Sequence, residues 1–138
     1  MSTESPEAQG QKPTILPYDK ELHFEELNSW FLARDAGSPL VPETLPKVGF
    51  IIPGKAAGFL YQTDSNIAWI ENLVAAPGLG KKERSELIDA IVLAVAAEAR
   101  RRGFAALVGF TELDAVKERA ERLGFAYHGK FHLINLAL

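Results

Sequence analysis

Hydrophobic positions recur at two different periods along the chain, and each period predicts a different kind of secondary structure. Between residues 22 and 33 the apolar side chains stand at helical spacing, which predicts a first helix. From residue 47 onward, short apolar runs are separated by turn-forming residues at 53–55 and 63–66. Strands are therefore predicted at 48–52, 57–62 and 67–74. Because their connections are short, we expect these strands to form an antiparallel meander.

Helical and strand patterns alternate again in the C-terminal half. The predicted elements are a helix at 81–102, a strand at 105–110, a helix at 113–123 and a strand at 125–138 with a kink at Gly129. The apolar stripe of the first helix consists of Leu87, Ile88, Ile91, Val92 and Val95. A short strand is also predicted at 14–18. Residues 14–138 are thus expected to form one domain.

Two segments lack either pattern. Residues 1–13 are polar and offer almost nothing to bury, so we expect a disordered N-terminal tail. Asp35–Gly37 is expected to end the first helix, and the prolines within 38–46 favour an irregular connection over a helix. Trp30 and Phe31 in the helix, and Trp69 in the third predicted strand, are expected to pack in the core.

Composition narrows the classes of function. The net charge is -3, which disfavours a broad electrostatic contact with nucleic acid phosphates. The chain contains no cysteine, and this excludes disulfides, thiolate nucleophiles and cysteine-based metal sites. No apolar stretch reaches the ~20 residues that cross a bilayer, and no signal peptide is evident at the N-terminus. We therefore expect a cytoplasmic protein.

The predicted order of elements from residue 47 onward resembles that of the GNAT superfamily of acyl-CoA-dependent N-acyltransferases. Three segments are similar to motifs of that family: the hairpin 54–60, Ala99-Arg100 before Gly103, and Leu123-Gly-Phe125 at the end of the second helix of this half. Residues 14–36 would supply the family's first strand and helix. The resemblance implies an α/β (α+β) fold with a mixed, mainly antiparallel central sheet flanked by helices.

The resemblance also implies that acetyl-CoA is the cofactor. The family polarises the thioester carbonyl with a splayed backbone on its fourth strand, which corresponds here to Leu73, Val74 and Ala75. It holds the pyrophosphate in a glycine-containing loop at a helix start, where backbone N–H groups and the helix dipole attract anions. The corresponding residues here are Gly78, Gly80, Lys81 and Lys82. The alternative interpretation of this segment, without a binding role, is a loop followed by a solvated first turn of a helix.

Several positions depart from the family's pattern. Aligning Pro77 with the family's usual proline gives the loop 80–85, which lacks the required glycines. Aligning Gly78–Gly80 with the family's Gly-x-Gly keeps the glycines but places Ala75 where the family has Arg or Gln. The tyrosine that often acts as general acid falls at Ala120, which cannot donate a proton. The asparagine near the start of the same helix falls at Leu113.

Candidate catalytic groups come from the strands. Glu71 is the acid within a central apolar strand, and burial there would raise its pKa into the range of a general base. The alternative for Glu71 is a solvent-facing position paired with a lysine. Tyr127 is a candidate substitute for the missing general acid. His128 and His132 would share one face of the last strand, but two ligands without a third do not indicate a metal site.

Two functions of different classes follow from these observations. The first is an acyl-CoA-binding protein that transfers an acetyl group to an unknown amine or protein acceptor. The second is a catalytically degenerate protein of the same fold that acts as a protein-binding or virion-associated module, similar to short acetyltransferase-like proteins encoded by tailed phages. The apolar segment 131–138 could pair across a homodimer or complete the sheet.

Overall fold

The computed structural model describes residues 13–34, 41–111, 113–132 and 134–138. Its elements in chain order are β1 (Leu16–Pro17), α1 (Lys20–Arg34), a 3-10 helix (Pro42–Thr44), β2 (Gly49–Ile52), β3 (Ala56–Tyr61), β4 (Ile67–Ala75), α2 (Lys81–Arg101), β5 (Ala106–Gly109) and α3 (Asp114–Arg122). The helices and strands predicted between residues 14 and 123 are confirmed, with ends that differ by a few residues. The predicted helix stop at Asp35–Gly37 and the predicted tail up to residue 12 lie outside the described residues.

The described strands form one sheet in the order β1-β2-β3-β4-β5. Neighbours from β1 to β4 are antiparallel, because tight turns connect β2 to β3 and β3 to β4. β5 lies parallel to β4, and α2 forms the crossover between them. The predicted antiparallel meander and the predicted mixed, mainly antiparallel sheet are therefore both confirmed.

Each face of the sheet packs against a different helix. On one face, the apolar stripe of α2, including Ile91 and Val95, packs against Leu60 and Ile70 of the sheet. On the other face, Leu27, Trp30 and Phe31 of α1 pack against a second set of strand residues: Ile51, Ala57, Phe59 and Val74. Because neighbouring strand residues alternate between the two faces, β4 contributes side chains to both cores. We refer to these as the α2 face and the α1 face.

The prediction of a last strand at 125–138 is wrong. The described residues of this segment form no strand, although Gly129 has a φ of +117° and turns the chain where a kink was predicted. The apolar side chains of Ile134, Leu136 and Leu138 are exposed. A strand needs a neighbour for its backbone hydrogen bonds, and the apolar pattern alone does not supply one.

The described helices also bear on membrane association. The longest of them, α2, has 21 residues. Its polar face carries acids and arginines, and none of the helices in the described ranges is both long and apolar enough to cross a bilayer.

Candidate active site

A β-bulge in β4 shapes the site. Phe59 of β3 pairs with Glu71 of β4, and Ala57 pairs with Val74, so that Asn72 and Leu73 together stand opposite Gly58. Asn72 has a φ of +57°, a left-handed conformation that asparagine tolerates better than most residues. Such an extra residue bends a strand and increases its twist. The bulge therefore turns the C-terminal half of β4 away from a straight course.

Gly58 makes the close packing behind the bulge feasible. A Cβ atom at Gly58 would lie 2.6 Å from Cγ2 of Ile91 and 2.7 Å from Cδ2 of Leu73. Both distances are well below van der Waals contact. The missing side chain thus leaves room for Leu73 to pack against the α2-side core.

The same half of β4 separates from β5. The pairing between these parallel strands ends at Ile70 and Gly109, directly before the bulge. In the described part of the chain, residues 71–75 of β4 therefore pair with β3 alone. Their other edge has no strand partner in the described ranges, and we call this break in the β4–β5 pairing the opening. The opening begins directly before Leu73, Val74 and Ala75, where the sequence resemblance implied a splayed backbone, and their role toward a thioester stays a prediction.

Glu71 lies at the mouth of the opening on the α1 face, since it pairs with Phe59 of the α1-side core. Its side chain is half-buried, and this burial raises its pKa above the ordinary value of 4.5, although the N–H of Asn72 donates to the carboxylate and opposes the shift. A raised pKa keeps the carboxylate basic enough to accept a proton from an ammonium group. Glu71 is thus partly shielded from water, and its role as a general base stays a prediction.

Tyr61 and Asn72 form a polar pair beside Glu71. The side-chain amide of Asn72 donates a hydrogen bond to the phenol oxygen of Tyr61. The Tyr61 hydroxyl in turn lies 3.5 Å from the carbonyl oxygen of Thr44. Burial raises the pKa of Tyr61, and the nearby Glu71 charge raises it further, while the bond from Asn72 lowers it. The phenol therefore keeps its proton at neutral pH and holds the side chain of the bulge residue.

Arg34 also fixes the bulge from the α1 side. Its Nη1 donates to the carbonyl oxygen of Leu73 at 3.0 Å, and its guanidinium carbon lies 4.7 Å from the ring centre of Phe31. The contact links the C-terminal end of α1 to the bulge of β4. The Arg34 guanidinium therefore lies at the Leu73 backbone, the segment that the sequence resemblance associates with the thioester carbonyl.

The loop after β4 leads directly to the N-terminus of α2. Gly78 has a φ of +87°, and Gly80 is the N-cap residue of α2. A Cβ atom at either glycine would have no neighbour within 4 Å, so both backbones are accessible. No side chain of the described residues caps this helix end, which leaves its first N–H groups and its positive dipole end available to an anion.

Lysines surround the N-terminus of α2. Lys81 and Lys82 are exposed in its first turn, and the Lys55 amine binds Glu83 of the same turn at 2.9 Å. The ion pair neutralises the acid that would otherwise repel an anion at this position. The local charge at the helix start is therefore positive.

A shallow cavity of about 530 Å³, largely open to solvent, adjoins the start of α2. It is lined by Lys81, Lys82, Ser85, Glu86, Asp89 and Arg122. Asp89 lies 3.0 Å from both Arg119 and Arg122 of α3. Burial alone would raise the pKa of Asp89, but the hydrogen bonds and charges of the two arginines outweigh it and lower the pKa. The carboxylate thus stays ionised and ties α3 to α2 at the cavity wall.

Tyr127 is not part of the polar group formed by Tyr61, Glu71 and Asn72, and its ring contacts Lys117 of α3 instead. Its half-exposed ring stacks under the Lys117 amine, which is 4.6 Å from the ring centre. The role of Tyr127 as a proton donor stays a prediction. His128 and His132 do not share a strand face, because no strand forms there. Among the described residues, no group of three or more His, Asp or Glu side chains is arranged around a metal position.

Sequence reasoning missed two features of the site. Tyr61 was assigned no role, although its position two residues after Phe59 placed it on the face of Glu71. Trp69 was expected in the core, and this prediction is wrong, because 42% of the side chain is exposed. The signal that could have found both is alternation: Phe59, Tyr61, Trp69 and Glu71 all belong to one face of an antiparallel hairpin.

The left-handed conformation of Asn72 yields a stability prediction. Asn72→Val is expected to lower the free energy of unfolding by about 1–3 kcal/mol, because a β-branched residue is strained at this φ and the bond to Tyr61 is lost. Asn72→Gly loses the same bond without the strain and should cost less. Urea denaturation of both variants measures the difference. Equal losses would show that the backbone conformation at residue 72 is not what matters.

Comparison with known proteins identifies the fold. No protein-family model and no curated protein match the sequence. Solved structures of N-acetyltransferases do match, however, and the chain has the fold of the GNAT acetyltransferases that its sequence resembles. An acetyltransferase from Trypanosoma brucei matches with a TM-score of 0.67 and 13% identity, covering 91% of this chain and 100% of that one.

Two further matches are acetyltransferases with a named acetyl acceptor. The glucosamine-6-phosphate N-acetyltransferase of Arabidopsis thaliana matches with a TM-score of 0.65 and 12% identity, over 92% of this chain and 100% of that chain. An aminoglycoside N-acetyltransferase in complex with CoA matches with a TM-score of 0.64 and 13% identity, over 94% and 97% of the two chains. At these identities the likeness establishes the fold and not the substrate.

Proposed function

We propose that this protein binds acetyl-CoA and transfers the acetyl group to an amine. The observation that carries the proposal is the opening between β4 and β5, which has the half-buried carboxylate of Glu71 at its mouth. The same strand leads to an uncapped, lysine-rich helix start. Solved neighbours of the same fold include an N-acetyltransferase in complex with CoA, which supports the proposal.

The cofactor residues follow the path of β4 into α2. The backbone of Leu73, Val74 and Ala75 would hydrogen-bond the amide-containing arm and the thioester carbonyl. The N–H groups after Gly78 and Gly80 would hold the diphosphate, with Lys81 and Lys82 contributing charge. The open backbone at both glycines and the positive charge of the first turn fit such a ligand.

The reaction needs a base, an oriented carbonyl and a proton donor. Bound acetyl-CoA supplies the acetyl thioester. Glu71 takes a proton from the acceptor ammonium, so that the neutral nitrogen forms a bond to the carbonyl carbon while the carbon–sulfur bond breaks. Backbone N–H groups of the splayed half of β4 stabilise the negative charge that develops on the carbonyl oxygen. A tyrosine hydroxyl would give its proton to the departing sulfur, and the second proton that the nitrogen loses as the amide forms would restore the phenol.

Two tyrosines compete for the last step. We assign Tyr127 from the sequence, and Tyr61 is the second candidate because its phenol lies in the cluster that contains Glu71. Tyr61→Phe and Tyr127→Phe separate the two. Loss of the donor lowers kcat for acetyl transfer and leaves the acetyl-CoA Kd unchanged, whereas loss of the other tyrosine leaves kcat unchanged.

Charge reversal at the helix start tests the cofactor site. The double variant Lys81→Glu/Lys82→Glu is expected to weaken acetyl-CoA binding at least about tenfold, since charge-assisted bonds to a diphosphate are replaced by repulsion. Isothermal titration calorimetry measures the Kd. Lys47→Glu, an exposed lysine next to the start of β2, is the matched control and should bind normally. An unchanged acetyl-CoA affinity of the double variant would show that the diphosphate does not bind at the start of α2.

The alternative function is a catalytically degenerate module of the same fold that binds a protein or is associated with a virion, as the resemblance to short phage-encoded acetyltransferase-like proteins suggested. The observation that favours it is Ala120 on α3, where the family's general acid is expected. Acetyl-CoA distinguishes the two functions, because a ligand that binds the native state raises the melting temperature. A rise with acetyl-CoA favours the enzyme, and an unchanged melting temperature at millimolar ligand favours the module in whichever compartment the protein resides.

A further inference from the structure

Three aromatic side chains form an exposed row beside the opening. The ring centres of Trp69 and Phe110 are 5.8 Å apart, those of Phe110 and Phe131 are 6.1 Å apart, and both pairs meet edge to face. The exposed fractions are 42% for Trp69, 51% for Phe110 and 66% for Phe131. Large aromatic side chains lose favourable burial when they stay in water, and a contiguous exposed set marks a binding surface.

The row lies on the same side of the sheet as Glu71. Trp69 precedes Glu71 by two residues on β4, so both side chains are on the α1 face at a spacing of about 7 Å. Trp69 pairs with Val108 of β5, and this register places Phe110 on that face as well. Phe110 directly follows the last paired residue of β5. Glu71 and Phe110 therefore flank the mouth of the opening from its two strands.

The two faces have different chemistry. The loop of Gly78 and Gly80 leads into α2, which packs on the α2 face, so the proposed cofactor reaches the opening from there. The aromatic row occupies the α1 face, where the acceptor must meet Glu71. Phenylalanine rings offer no hydrogen-bonding groups, and the indole of Trp69 offers one donor. The hydroxyl groups of a polyhydroxylated amine would find few protein partners along this row and would gain little over their contacts with water.

We infer that the acceptor is a primary amine attached to an aromatic ring through a short alkyl linker. Its ring would pack against Trp69 and Phe110, and its ammonium would lie against the Glu71 carboxylate, to which its charge is complementary. The alkyl linker would span the distance along β4 between the indole of Trp69 and the carboxylate of Glu71. This inference rests on the proposed function, since it names the acceptor of the same site.

Substrate comparison tests the inference in the wild-type protein with acetyl-CoA present. The probes are 2-phenylethylamine, ethylamine and glucosamine, and the release of free CoA thiol is measured. We expect kcat/KM for 2-phenylethylamine to exceed that of the other two amines at least about tenfold, because only its ring fills an apolar surface. Equal or higher kcat/KM for ethylamine or glucosamine would overturn the inference and leave the proposed acetyl transfer intact.

Substitutions at Trp69 and at a control position test whether the aromatic row binds the ring of the substrate. Trp69→Ala should raise KM for 2-phenylethylamine at least about tenfold with little change for ethylamine, because only the first substrate carries a ring. The acetyl-CoA Kd should stay the same. Leu93→Ala, which removes an exposed apolar side chain of α2, is the matched control and should change neither KM. An equal rise of KM for both amines would overturn the inference.

Fluorescence provides a readout that does not depend on turnover. The chain has two tryptophans, and Trp30 is buried while Trp69 is exposed. Saturable addition of 2-phenylethylamine should change the emission of the wild type and not that of Trp69→Phe. Binding without acetyl transfer would contradict the proposed function and leave the amine site standing. A dimer in sedimentation that covers Trp69 and dissociates in Trp69→Ala would overturn the amine site.

Discussion

Glu71→Gln is expected to lower kcat/KM for acetyl transfer by about 100- to 10,000-fold, the range that a positioned general base contributes. The amide keeps the size of the side chain but cannot accept the proton of the ammonium group. Because burial raises the pKa of Glu71, the acid limb of the wild-type pH profile should lie above the ordinary glutamate value of 4.5. The variant should lack that limb.

Folding is not expected to suffer from this substitution. A carboxyl whose pKa is raised in the folded state binds its proton more tightly there than in the unfolded chain, so its stabilising effect is present at acid pH and is lost as pH rises through the folded pKa. At pH 7 the glutamine variant should therefore be at least as stable as the wild type. Glu118→Gln, an exposed acid of α3, is the matched control for activity. Full activity of Glu71→Gln would eliminate Glu71 as the base.

Gly58→Val is expected to lower the free energy of unfolding by about 1–3 kcal/mol or more, because its side chain must displace Ile91 and Leu73. Since Leu73 belongs to the bulge, the same displacement should also weaken acetyl-CoA binding. Guanidinium denaturation and calorimetry measure the two effects. Together they test whether core packing positions the splayed half of β4.

A double variant tests whether Gly58→Val destabilises the protein through a steric clash with Leu73. Leu73→Ala removes the side chain that Gly58→Val would contact, so the two substitutions should be less destabilising together than the sum of the single effects. Independent, additive losses would indicate that Gly58 does not act through Leu73. In that case the proposed link between the α2 core and the bulge would be wrong.

Periodicity predicted most of the fold because it reports which face of an element is buried. The apolar stripe of α2 and the short apolar runs of β2 and β3 are direct consequences of a sheet whose two faces are both covered by helices. The same reasoning failed for 125–138. An apolar pattern is compatible with a strand, but a strand also requires a partner edge, which is a tertiary property.

The site was predictable in part. Glu71 could be selected as a lone acid in an apolar strand, and Gly78 and Gly80 as a break before a helix. The bulge could not be placed, because a single residue with positive φ leaves no periodic signal. Asparagine at position 72 is compatible with that conformation but does not demand it. The partnership of Tyr61 with Asn72 depends on the bulge, and so it was missed as well.

Hydrogen–deuterium exchange with and without acetyl-CoA tests the proposed cofactor site, since it reports which backbone amides a ligand covers. We expect slower exchange in the half of β4 that pairs with β3 and not with β5, residues 73–75, and in the first turn of α2, residues 80–83. Exchange on the outer strand β1 should not change. Binding that leaves the amides of 73–75 and 80–83 unprotected, or that protects a different surface, would show that acetyl-CoA does not bind along β4 and the start of α2.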